Sequence, residues 1–189
     1  MVIIAGPNGA GKTTLQRTTE ELSSLPFVNA DDIAKQYSTI GPSQTRAAQD
    51  AAQEEIKKHL SSKTSFCFET VFSHSAKLDL IREAKKNGFA VHLFVVANDN
   101  PDINVARVKN RFASGGHDVP ETKIRERRPR TLDNLKKAVG MVDRFSIIDT
   151  SNGGTKEIAR KVEHKAVQIY SNPLPEWAAE MIADLLPKK

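Results

Sequence analysis

Gly6-Pro7-Asn8-Gly9-Ala10-Gly11-Lys12-Thr13 holds the densest chemistry in this 189-residue chain. Two glycines, a lysine and a hydroxyl at this spacing turn the backbone so that successive N–H groups converge on an anion, the behaviour of a phosphate-binding loop. In that geometry Lys12 reaches the β- and γ-phosphates of a nucleotide, the Thr13 hydroxyl ligates Mg²⁺, and Thr14 continues the cradle into the following helix. The apolar run Val2-Ile3-Ile4-Ala5 precedes the loop, and Thr13 to Leu22 follows it with apolar residues at helical spacing. Strand, loop and helix is the context that separates this motif from a glycine-rich turn that binds nothing. Lys12 is expected to be a surface lysine whose important partner is phosphate.

Further candidates stand just past later apolar runs, where open α/β sheets bind ligands. Asp31, in Asn29-Ala30-Asp31-Asp32, is placed to accept a proton from an attacking hydroxyl; the competing reading makes Asp31 or Asp32 the cap of the next helix. Glu69 and Thr70 follow Phe66-Cys67-Phe68 and are candidates for Mg²⁺ or for an acceptor substrate. Arg107 and Arg111 share one helix face and are candidates for phosphate. Arg125, Arg127 and Arg130 come after Gly115-Gly116-His117 and could neutralise a transferring phosphoryl group; a solvated helix face is the alternative for each. His117 reads as a loop residue. No His/Cys cluster has metal-ligand spacing, and no serine nucleophile elbow occurs.

Short apolar runs at Val2 to Ala5, Phe27-Val28, Ser65 to Phe68, Ala90 to Ala97 and Phe145 to Ile148 alternate with amphipathic stretches. They predict an α/β fold with a doubly wound, mostly parallel sheet, Ala90 to Ala97 being a central strand covered on both faces. Helices are predicted over Ser43 to Leu60, with Ala48, Ala52, Ile56 and Leu60 on one face, and over Lys77 to Lys86, closed by Asn87-Gly88. A sixth strand is expected at Ala166 to Tyr170, then a terminal helix with Trp177 in the core. Residues 112–135 carry no strand signal: Gly115-Gly116 and Pro120 interrupt the first half, arginines fill the second. A mobile loop leading into an arginine-bearing helix is what a lid over a nucleotide needs.

The length suits one domain over residues 1–189, without repeats or linkers. Lysine and arginine number 28 against 23 acidic residues, a formal charge of +5 that suits a polyanionic ligand without distinguishing nucleotide from nucleic acid. The lone Cys67 reads as a buried thiol in a reducing compartment. With no leader-like start and no membrane-length apolar run, a cytoplasmic, membrane-free protein is expected.

Together Ile3 to Thr14, Val28-Asn29-Ala30-Asp31, Phe66-Cys67-Phe68-Glu69-Thr70, and Gly115-Gly116-His117-Asp118-Val119-Pro120 with Ile124 to Arg127 and Asn134-Leu135 resemble the zeta toxin family of P-loop kinases, in particular its small stand-alone bacterial members. The resemblance covers the chain to about residue 150. It implies a P-loop NTPase sheet of the nucleotide-kinase type and ATP-dependent phosphorylation of a small-molecule hydroxyl. In better known members the acceptor is a UDP-activated amino sugar, and the resemblance leaves toxicity and an antitoxin partner open. It places Asp31 at the base position, Lys12 and Thr13 at the phosphate and Mg²⁺ positions, Glu69 on the acceptor side and Arg127 and Arg130 in the lid. Arg128-Pro129 departs from the family pattern, so the lid helix is expected to begin or bend there. Two rivals remain: a nucleic-acid end kinase, for which few aromatics accompany the arginines, and an ATP-driven conformational module, whose signature segments are missing.

Overall fold

Residues alternate along the strand His92–Ala97: Leu93, Val95 and Ala97 join one apolar cluster, Phe94 and Val96 another. The same alternation divides Ile3 and Ala5 from Ile4, and Phe68 from Cys67, so a sheet is covered on both faces. The computed structural model describes residues 1–36, 42–116 and 118–187.

Strands β1 (Val2–Ala5), β2 (Phe27–Val28), β3 (Cys67–Thr70), β4 (His92–Ala97), β5 (Arg144–Asp149), β6 (Lys156–Val162) and β7 (Gln168–Ile169) form one seven-stranded sheet in the order β2-β3-β1-β4-β5-β6-β7. The first five in that order run parallel, whereas β6 pairs antiparallel with β5 and β7 antiparallel with β6. Helices α1 (Lys12–Thr18) and α2 (Glu20–Ser23) supply Leu15 and Leu22 to one face. After α3 (Ala30–Ala34), α4 (Pro42–Ser62) and α5 (Ala76–Lys86) supply Ile56, Leu60, Leu78 and Ile81 to the other. Helices α6 (Pro101–Ala113), α7 (Glu121–Val139) and α8 (Glu176–Ile182) complete the chain, and Trp177 is in the core as expected. Cys67 is buried, which pushes its thiol up to about 12.

Several expected boundaries change. The helix expected from Thr13 to Leu22 breaks at Thr19, whose backbone is extended. β3 extends through Thr70, so Glu69 and Thr70 belong to the strand that pairs with β1, Ile4 opposite Glu69 and Ala5 opposite Thr70. β6 was not expected, because its Lys-Glu-Ile-Ala-Arg-Lys-Val sequence buries only Ile158 and Ala159 and lacks an apolar run. The expected sixth strand is the two-residue edge strand β7, with Ile169 and Tyr170 exposed.

The lid is chiefly helical. Val105 and Val108 of α6 pack with Val119 and Ile124 in a separate apolar cluster. Outside it, Arg125 binds Asp102 at 2.6 Å and Glu121 at 2.8 Å, and Lys109 binds Glu121 at 3.1 Å. α7 starts at Glu121 rather than at Pro129, which lies inside the helix. Packing of Ile124 on α6 and of Leu135 in the main core outweighs the single hydrogen bond that a proline removes. His117 lies outside the described residues.

Candidate active site

At the carboxyl end of β1 the chain turns through the phosphate loop under close contact. A Cβ on Gly6 would stand 1.9 Å from the Val96 carbonyl oxygen, and one on Gly9, at φ +72°, would stand 2.4 Å from that of Asn104. Asn104, fully buried, donates from Nδ2 to the Asn8 carbonyl at 2.8 Å and fastens the loop to α6. Gly11 offers α1 no side-chain cap, and the first turn has no acidic residue. Those N–H groups and the helix dipole therefore suit an anionic ligand.

Lys12 is not a surface residue: it is 6% exposed, and Nζ donates to the carbonyls of Gly6 and Pro7, both at 3.0 Å. Burial pulls its pKa below the ordinary value, opposed chiefly by Glu69, whose Oε1 lies 3.7 Å away. The Thr13 hydroxyl donates to Glu69 Oε2 at 2.7 Å, and Asn29 Nδ2 donates to the same oxygen at 3.4 Å. Glu69 thus gathers the loop lysine, the loop threonine and the tip of β2. The Thr70 hydroxyl accepts from the Phe72 N–H at 3.1 Å, while Asn134 of α7 donates to the Phe72 carbonyl at 3.1 Å. Phe72 is buried and left-handed at φ 63°, a strained conformation for a bulky residue that these two bonds help hold.

The cap question at Asp31 has a structural answer. Asn29 caps α3, accepting from the Asp31 N–H at 2.9 Å, so the Asp31 carboxylate is left for other work. It is half exposed and has Arg111 Nη1 at 3.9 Å. Asp32 instead pairs with Lys35.

These groups line one cleft of about 1040 Å³, at the upper end of small-molecule sites and large enough for a nucleotide beside a second substrate. Lys12, Thr13, Thr14, Asp31, Glu69, Thr70, Arg107, Arg111 and Arg127 all border it. Arg107 is also tied to the end of β5, donating to Thr150 Oγ1 at 3.1 Å and to its carbonyl at 2.6 Å. Arg130 is exposed, directs Nε to the Glu126 carbonyl at 3.4 Å, and is not among the bordering residues. Arg125 is held in the α6–α7 clasp. Sequence reasoning gave Asn29 no role of its own and missed Lys77 and Lys123, together with the α4 face that carries Gln49 and Gln53. The i, i+4 spacing of the two glutamines signalled a shared face, but not which way it points. Arg128, which departs from the family pattern, donates to the carbonyls of Asn98 and Asp99 at 2.7 and 3.3 Å, pinning α7 to the end of β4. Among the described residues no group of three or more His, Cys, Asp or Glu could hold a metal ion, and no helix is long and apolar enough to cross a membrane.

A phosphate loop behind the central strand of a β2-β3-β1-β4-β5 parallel core, with a helical lid across the cleft, defines a P-loop NTPase of the nucleotide-kinase type. The chain belongs to the zeta toxin family, whose profile, Zeta toxin, matches residues 1–163. An uncharacterized protein of Haemophilus influenzae is 32% identical over 134 residues, 67% of this chain and 90% of that protein. The AvrRxo1-ORF1:-ORF2 complex solved with ATP aligns at TM-score 0.75 and 15% identity, over 97% of this chain and 62% of that one. The chain therefore spans about three fifths of that relative's length. The PezAT chromosomal toxin–antitoxin system of Streptococcus pneumoniae aligns at TM-score 0.65 and 17% identity, over 98% of this chain and 77% of that one. At these identities the likeness is one of fold.

Proposed function

We propose that the protein transfers the γ-phosphoryl group of ATP to a hydroxyl of a small molecule. The observation that carries this reading is Asp31: a carboxylate released from capping, set beside Arg111 in the same cleft as Lys12. The loop from Gly6 through Pro7, Asn8, Gly9, Ala10 and Gly11 to Thr14 binds the donor phosphates through backbone N–H groups, with Lys12, Arg107 and Arg111 adding charge. Asp31 orients the acceptor hydroxyl and takes its proton as the oxygen bonds to the γ-phosphorus; the bond to the β,γ-bridging oxygen breaks, and ADP leaves with that electron pair. Arg127, and Arg130 if the lid turns it inward, offset charge on the transferring group. Thr13 and Glu69 bring hard oxygen donors together and fit Mg²⁺, which supplies charge neutralisation on the phosphates; most of its remaining ligands would be water and phosphate, consistent with the small protein donor set.

Incubation with ATP, Mg²⁺ and a bacterial metabolite extract should yield a species heavier by one phosphoryl group, and its absence would defeat the reading. Family membership and the toxin–antitoxin relative support a toxin with an antitoxin partner. Overexpressed wild-type protein should then slow bacterial growth more than Asp31→Asn does; equal growth removes the toxin reading and leaves the kinase standing. The nucleic-acid reading loses support because Arg125 and Arg128 are committed within the protein.

A further inference from the structure

The two walls of the cleft differ in charge. Lys12, Arg107, Arg111, Lys123 and Arg127 come from the phosphate loop, α6 or the lid helix, with Asp118, just before that helix, the one carboxylate among the described bordering residues on that side. The facing wall, built from α3, α4 and the turn into α5, contributes Asp31 and Asp50, with no arginine among the described bordering residues, while Glu69 at the end of β3 is turned to Thr13 and Lys12. Among the described residues the facing wall's basic side chains are Lys77 and the exposed His74. Lys77 lies partly buried with Nζ 5.9 Å from the Phe68 ring centroid, and burial alone lowers its pKa, with no carboxylate opposing the shift.

The α4 face turned to the cleft carries Thr45, Gln49 and Gln53 one helical turn apart, beside Asp50. Primary amides both donate and accept, which matches hydroxyl groups, whereas a phosphate or diphosphate is recognised by guanidinium pairs or helix N-termini. Desolvating a phosphate against a carboxylate-bearing wall is unfavourable; a neutral polyol or an amine meets no such penalty.

We infer that the acceptor is a small polyhydroxylated molecule without a phosphate of its own, neutral or amine-bearing, and that Gln49 and Gln53 on α4 read its hydroxyl groups. This rests on the phosphotransfer reading above and narrows its substrate class. A nucleotide-activated sugar carries a diphosphate and falls outside this class.

The test uses the full chain with γ-labelled ATP and Mg²⁺. A bacterial small-molecule extract is divided by anion exchange into a flow-through, free of phosphate esters, and a retained fraction to which UDP-N-acetylglucosamine is added. Labelled product from the flow-through is the expected result. Product from the retained fraction alone overturns the substrate class while the kinase reading stands, and no product from either overturns both. With the labelled acceptor, Gln53→Leu should raise its KM about three- to tenfold, the loss of one neutral hydrogen bond, and leave ATP affinity unchanged. An unchanged acceptor KM in both Gln49→Leu and Gln53→Leu overturns the role of α4.

Discussion

The Thr13 hydroxyl donates to Glu69 Oε2 at 2.7 Å, joining the phosphate loop to the strand beside it. The other oxygen of that carboxylate lies 3.7 Å from Lys12 Nζ. Glu69 therefore stands where the loop's own metal-binding group is, closer to the donor side than a purely acceptor-binding role requires. Glu69→Gln keeps an acceptor for Thr13 and removes the charge. Half-maximal turnover should then need about tenfold more Mg²⁺, the scale of losing a supporting ligand. An unchanged Mg²⁺ requirement with a raised acceptor KM would assign Glu69 to the acceptor instead.

The lid arginines separate by position. Arg127 borders the cleft, whereas Arg130 is exposed outside it. Arg127→Ala should lower kcat by about 100-fold or more with a small change in ATP affinity, because charge spreads over the phosphoryl group in the transition state. Arg130→Ala should remain within about twofold of wild type if the lid keeps this arrangement, as surface charges contribute little. Steady-state kinetics on both variants decides the assignment; a larger loss in Arg130→Ala would mean that the lid turns during turnover.

Stability should depend on pH through His92. Burial, reinforced by Arg144 and Arg160, lowers its pKa from 6.5 to about 4, while its Nε2 lies 3.3 Å from Ser146 Oγ. The folded state keeps the ring neutral where the unfolded chain protonates it. This contribution is complete above pH 6.5 and is lost as pH falls toward 4, by on the order of 2 to 3 kcal/mol. Urea unfolding across that range should show a steeper decline for wild type than for His92→Gln. Parallel curves would remove His92 as the source.

Much of this was legible in the chain. The phosphate loop is a local pattern with one backbone solution, and the near-continuous apolar run at His92–Ala97 announces a strand covered on both faces. β6 was not legible because half of it faces solvent and its apolar pair is too short to mark a strand. The state of Lys12 was hidden for another reason: its partners are carbonyls of its own loop and a carboxylate 57 positions away, and only tertiary folding brings that carboxylate near. The cap of α3 was misassigned for a local reason: Asp31 or Asp32 was the candidate cap, and the structure uses Asn29 instead. Pro129 misled in the opposite direction, since a proline signal was overridden by packing on both sides of it.

The most direct test of phosphoryl transfer with Asp31 as base is a single-turnover measurement on wild type and Asp31→Asn, with ATP affinity measured in parallel. Asn29 caps the helix in both proteins, so α3 and the ATP site should be unchanged. The expected result is equal ATP affinity and a transfer rate lower by about 100-fold to 10,000-fold in the variant. Transfer at the wild-type rate by Asp31→Asn, with ATP bound equally, would contradict the account.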